Sequence, residues 1–208
     1  MRQQFITMLE MQERMNRKVH PDWIKQDFAW HRALWIECGE LIEHHGYKWW
    51  KKQEPAWAHV RLELIDIWHF GMSMCFDGSN TPGQIADQML DELALERPVG
   101  VPLLEAVEAL ATDVLVRRCF SVVRFWTAME AAGLDSDSLF TAYVGKNVLN
   151  FFRQDHGYKD GSYHKQWDGR EDNEHLSELL EQLDRHDSAF PERLYAALEE
   201  RYRQVAVT

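Results

Sequence analysis

Apolar positions recur at spacings of three and four along nearly the whole chain, which is the period of a helix buried on one face. Phe5, Met8, Leu9, Met15 and Val19 mark a first helix, with the polar Gln12 and Asn16 on the same face. His20-Pro21-Asp22 ends it, because proline disfavours helical backbone in the residue before it. Phe28, Leu34, Trp35, Cys38, Leu41 and Ile42 predict a second helix from about Lys25 to His45, stopped by Gly46. A third runs from about Pro55 to Phe76. Asp77-Gly78-Ser79-Asn80 is a turn, Thr81 an N-cap and Pro82 the first residue of a short helix that ends near Leu95, before Arg97-Pro98-Val99-Gly100.

From Pro102 onward, Leu103, Val107, Leu110, Val114, Val122, Phe125 and Met129 predict one long helix closed by Gly133. Another covers about Ser136 to Gln154. Asp155 to Arg170 holds three glycines and is expected to be an ordered loop. Helices over about Asn173 to Asp187 and Pro191 to Gln204 complete the chain. No segment alternates long enough to predict a strand. The expectation is an all-α fold, one domain over residues 1–208, with a variable insert around 80–101.

Composition narrows the function. Lys plus Arg total 23 and Asp plus Glu total 34, a formal net charge of −11. Binding to a nucleic acid polymer rests on neutralising many phosphates, so this balance argues against it. A single nucleotide stays open, since metal ions on carboxylates and a few cations suffice for a triphosphate. Cys38, Cys75 and Cys119 are isolated, with no CxxC, so no disulfide framework or zinc knuckle is expected. No apolar run of membrane-spanning length and no signal-peptide core are present, so a cytoplasmic setting is the default expectation.

The most informative chemistry lies on the second and third helices. Glu37 and Glu40 are three apart, and so are Glu63 and Asp66. Groups at i and i+3 share a helix face, with Cβ atoms about 5–6 Å apart. Both pairs sit among apolar neighbours such as Leu41, Ile42, Leu62, Leu64, Ile65 and Ile67. A carboxylate on a buried face is costly unless paired or metal-bound. Four of them on a helix hairpin describe a site for a hard cation, Mg²⁺ or Mn²⁺. Four ordinary exposed acids are the competing reading for a chain this acidic. For His44 and His45, a solvated helix end is the preferred reading.

A second constellation follows later. Lys146, Asn150 and Arg153 fall at i, i+4 and i+7, one stripe of a helix. It leads into a loop carrying Tyr158, Lys159, Tyr163 and Lys165. Such a run of donors suits a polyphosphate. The competing reading is a basic helix end placed favourably against the helix dipole.

These pieces, in this order, resemble the dimeric all-α dUTPases and the wider MazG-like pyrophosphohydrolases. The resemblance rests on Gln12 to Asn16 with Pro21-Asp22-Trp23, the Glu37/Glu40 helix, Tyr47-Lys48-Trp49-Trp50-Lys51, Glu63 to Phe70, and Lys146 to Tyr163. Nothing is carried over for 80–130. The resemblance implies a helical bundle of the all-α NTP pyrophosphohydrolase type. It implies hydrolysis of dUTP, and of dUDP as a further candidate, by a homodimer that needs Mg²⁺ or Mn²⁺. Glu37, Glu40, Glu63 and Asp66 are then the metal ligands, with Glu37 as the base. Gln12, Asn16, Trp49 and His69 would read uracil, Phe70 would pack on the nucleoside and Asn150 would contact the sugar. Lys146, Arg153, Tyr158, Lys159 and Lys165 would grip phosphates. Two alternatives remain open: a related enzyme for another nucleotide such as dCTP, and a non-catalytic nucleotide sensor or regulatory module.

Overall fold

The computed structural model describes residues 1–96, 98–184, 187 and 189–205. Arg97, in the expected break after the fourth helix, and Arg185 and His186, in the expected penultimate helix, lie outside the described residues. Nine α-helices are present among the described residues. They are α1 (Arg2–Val19), α2 (Trp30–His45), α3 (Trp57–Met74), α4 (Pro82–Leu93), α5 (Leu103–Arg117), α6 (Val122–Ala131), α7 (Ser136–Asp155), α8 (Asp172–Gln182) and α9 (Phe190–Val205). The fold is all-α, with one small antiparallel hairpin of β1 (Gln166–Trp167) and β2 (Arg170–Glu171).

Local chemistry sets several boundaries where the pattern placed them. Thr81 and Gln84 form a capping box, with Pro82 at the first helical position of α4. The Asp135 side chain caps α7 by accepting from Ser138 N at 2.8 Å. Gly46 takes a φ of +89°, and a Cβ there would meet Gln53 Cβ at 2.9 Å, so the α2–α3 connection requires glycine.

Three expectations are corrected. The long helix from Pro102 to Met129 is two helices, because Arg118 adopts a left-handed conformation (φ 56°) after α5 and Ser121 caps α6 anew. The second helix does not start at Lys25: a single 3₁₀ turn, Trp23–Gln26, ends at left-handed Asp27, and α2 begins at Trp30. The penultimate helix stops at Gln182, where Leu183 is extended.

Packing then positions the site. α2 lies mainly on α3 and also on α5, while α7 contacts α1, α3, α8 and α9. Phe5, Leu34, Leu64, Trp68, Phe125, Leu149 and Trp167 are among the fully buried side chains of the shared core. The segment around 80–101 contributes to it, since Ile85, Ala86 and Met89 of α4 are buried. Burying a large apolar side chain such as Ile85 or Met89 contributes roughly 1.5–3 kcal/mol. No helix among the described residues is long and apolar enough to cross a membrane.

Candidate active site

Where α1, α2, α3 and α7 converge, they enclose a cavity of about 680 Å³, within the usual range for a small-molecule site. Its two ends differ in chemistry. One is acidic, and the other is lined by amides, a histidine and aromatic rings.

At the acidic end, Glu37, Glu63 and Asp66 each offer a carboxylate oxygen, all within 4.8 Å of one another. Burial raises the pKa of both Glu37 and Glu63, and the nearby Asp66 charge raises them further. The two glutamates face each other, so neither ionises readily while the other carries charge. Crowded, half-desolvated carboxylates held this way can take a hard cation, whose charge relieves their repulsion. Glu40 also lines the cavity, but it is exposed at the rim and stands outside the clustered three. Two groups at i and i+3 can straddle the edge of a buried face, and here the second one does.

His44 is not a solvated helix end. Its Nε2 lies 3.4 Å from Glu63 Oε1, and its ring stacks on His59 at 4.8 Å between centroids. His45 faces Trp57 edge-on at 5.4 Å.

Cations reach the same cavity from α7. Lys146, only 3 % exposed, places Nζ 2.8 Å from Asp66 Oδ2 and donates to Asn173 Oδ1 at 3.1 Å. Arg153 forms a two-pronged pair with Asp172, Nε to Oδ2 at 2.8 Å and NH2 to Oδ1 at 2.7 Å. It also donates to Asn150 Oδ1 at 3.2 Å. Tyr163 donates its hydroxyl to Asp172 at 2.8 Å. Burial pushes the Asp172 carboxyl up, but Arg153, Tyr163 and Lys146 outweigh it and hold it below the ordinary carboxylate range. Tyr158 and Lys165 line the cavity, and the Arg153 guanidinium lies over the Tyr158 ring at 5.9 Å.

At the other end, Gln12, Asn16, His69 and Phe70 line the cavity as expected. His69 Nδ1 is 2.7 Å from Gln12 Oε1, and the His69 ring lies on Tyr143 at 4.3 Å. Burial pushes the His69 pKa down to about 3, so this imidazole is neutral. Trp30 packs on Phe70 at 6.1 Å and shares the lining.

Two expected residues are not brought in. Trp49, 90 % exposed, stands on the α2–α3 connection against Trp50, off the cavity lining. Lys159 is also off the lining, with its ammonium donating to the Val19 carbonyl at 2.9 Å. The tryptophan that does reach the cavity is Trp30. Sequence reasoning also missed Ser73, Tyr143, Asp172 and Asn173. Tyr143 carried a usable signal, three residues before Lys146 on the same stripe of α7; Asp172 is 19 residues from Arg153, and no local spacing could have joined them.

No curated protein matches the sequence. A family model described as dUTPase matches residues 4–158, three quarters of the chain, including both acidic helices and the α7 stripe. The acidic cluster, the facing cations and the amide-lined pocket thus stand where that match runs, and the chain belongs to the all-α dUTPase family.

Proposed function

We propose that the protein hydrolyses dUTP to dUMP and pyrophosphate by attack of a water molecule held at the acidic end of the cavity. The observation that carries this reading is one cavity lined by three clustered carboxylates, buried cations, and the uncharged Gln12, Asn16, His69 and Phe70. Glu37, Glu63 and Asp66 would hold Mg²⁺ or Mn²⁺, and their all-oxygen donor set fits a hard cation. When bound, the metal supplies positive charge against the phosphate oxygens and acidifies water. Glu40, at the rim, adds negative charge beside Glu37.

The chain's own groups do the rest. Glu37 accepts the proton of the attacking water, the role of a general base. Lys146 neutralises Asp66, donates to Asn173 and presents its third N–H to phosphate. Arg153, fixed by Asp172, keeps N–H capacity on NH1 for a phosphate oxygen, with Lys165 and Tyr158 beside it. Phe70 and Trp30 flank the nucleoside, Asn150 faces the sugar, and Asn16 and His69 meet the base. The closed-in amide pocket favours a pyrimidine.

Pyrophosphate release measured with Mg²⁺ and with chelator across dUTP, dUDP, dCTP, dTTP and UTP tests the proposal. Selective, metal-dependent release from dUTP is expected. Equal turnover of dCTP would favour a broader enzyme of this family. Tight binding of dUTP without release would favour a nucleotide sensor. Sedimentation at micromolar concentration tests the homodimer, which the exposed Trp35, Ile36, Trp50 and Trp57 would serve as apolar contact surface; a 24.6 kDa species would contradict it.

A further inference from the structure

Ser73 is fully buried on α3, one turn after His69, and no part of the proposed reaction uses it. Its hydroxyl donates its only proton to the His69 carbonyl oxygen at 2.9 Å. The oxygen is thereby left as an acceptor alone, and two side-chain amides use it: Asn16 Nδ2 at 3.0 Å and Gln12 Nε2 at 3.1 Å. Each amide must turn its NH₂ group toward Ser73.

The consequences pass through Gln12. Its Nε2 spends one proton on Ser73 and the other on Asn16 Oδ1 at 2.9 Å. Its Oε1 lies 2.7 Å from His69 Nδ1 and 3.0 Å from the Tyr143 hydroxyl, whose single proton is shared with the Met8 carbonyl at 2.9 Å. With the Gln12 amide turned this way its oxygen can only accept, which places the His69 proton on Nδ1. The other ring nitrogen, Nε2, is then a bare acceptor, and it is buried with no partner among the described residues. Gln12 is thus engaged at both ends of its amide. Among the described residues, the capacity left at this end of the cavity includes the acceptor His69 Nε2, the second N–H of Asn16 and one lone pair of Asn16 Oδ1.

We propose that Ser73 is a specificity-determining positioning residue, which through the orientation of Gln12 and Asn16 holds His69 as an acceptor and so selects a base presenting a ring N–H beside a carbonyl. This rests on the reading that the base occupies the amide-lined end of the cavity. A neutral pyrimidine imide supplies that N–H and carbonyl pair, as uracil does. Cytosine in the same pose sets the lone pair of its ring nitrogen against the lone pair of His69. Burial keeps His69 neutral, so the imidazole cannot escape the conflict by taking a second proton. Without the Ser73 oxygen, Gln12 can turn over and present NH₂ to the imidazole, moving the proton to Nε2 and reversing the polarity of the pocket.

The experiment compares kcat/KM for dUTP and dCTP in the parent, Ser73→Ala and Ser73→Thr, with the His69 tautomer read by ¹⁵N NMR. The parent should show Nδ1–H and a non-protonated Nε2. Ser73→Ala should lower the dUTP-to-dCTP ratio at least about tenfold, mainly through KM, and show mixed tautomers. Ser73→Thr keeps the hydroxyl and should keep both the ratio and the tautomer. A parent that prefers dUTP, beside a Ser73→Ala protein with an unchanged ratio, overturns the role of Ser73 alone. A parent His69 protonated on Nε2 overturns it even if Ser73→Ala does not fold. A parent with no preference for dUTP over dCTP overturns the base-pocket reading beneath it.

Discussion

Lys146 Nζ lies 2.8 Å from Asp66 Oδ2 and ties α7 to the acidic face of α3. Both groups are largely withdrawn from water, so removing one leaves the other uncompensated, a loss of about 3–5 kcal/mol. Lys146→Gln should therefore destabilise the protein strongly in chelator. Mg²⁺ should restore part of that stability by replacing the missing charge. Denaturant midpoints measured in both conditions check this, and equal losses with and without Mg²⁺ would count against a cation at Asp66.

The crowded glutamates make stability depend on pH in a defined direction. Burial and neighbouring charge raise Glu37 to about 7 and Glu63 to about 8, above the ordinary 4.5. Groups raised on folding contribute stability that is fully present below the unfolded pKa and is lost as pH rises through the folded one. In chelator the melting temperature should thus fall as pH rises from about 5 to 8. Mg²⁺ should flatten that fall, with protons released on metal binding. A metal-free melting temperature that is level across this range would remove the carboxylate crowding as its basis.

Asp172 works in the opposite sense. Its pKa is held below the ordinary carboxylate range, so its contribution is present above the unfolded pKa and is lost as pH falls through the folded one. Asp172→Asn breaks a pair that is 1 % exposed on the Asp172 side and should cost about 3–5 kcal/mol at neutral pH. The deficit against the parent should shrink in acid, where the parent loses the same charge. Turnover should fall as well, because Arg153 loses its orientation. Urea unfolding followed from pH 7.5 down to about pH 2, through the lowered pKa of Asp172, distinguishes this from a generic packing defect, which would leave the deficit independent of pH.

The chain revealed its acids more readily than their surroundings. Glu37, Glu63 and Asp66 were legible because three-residue spacing on apolar helices is a local signal. The exposure of Glu40 was not, since periodicity locates a face only to within its edge. The break at Arg118 was hidden because Val114, Val122, Phe125 and Met129 keep helical spacing across it, and one left-handed residue leaves that spacing intact. Trp49 and Trp30 show the limit for aromatics: composition cannot tell which ring turns inward. Ser73 and Asp172 act across long sequence separations, on Asn16 and Arg153 respectively, and neither is unusual as a residue type.

Asn16 has an N–H left over for the base. Asn16→Ala removes it and also leaves Gln12 and Ser73 short of a partner, a cost of about 1–3 kcal/mol. The KM for dUTP should rise between about fivefold and a hundredfold while kcat changes little. Kinetics unchanged on every nucleotide would move Asn16 to a purely structural role.

The most direct measurement is pyrophosphate release from dUTP by Asp66→Asn beside the parent, in saturating Mg²⁺, with helicity checked by circular dichroism. A folded variant with kcat lowered on the order of a hundredfold or more is expected, because one carboxylate of the cluster is lost where charge develops. A folded Asp66→Asn protein that releases pyrophosphate at close to the parent rate would contradict the assignment of the acidic cluster as the reaction centre.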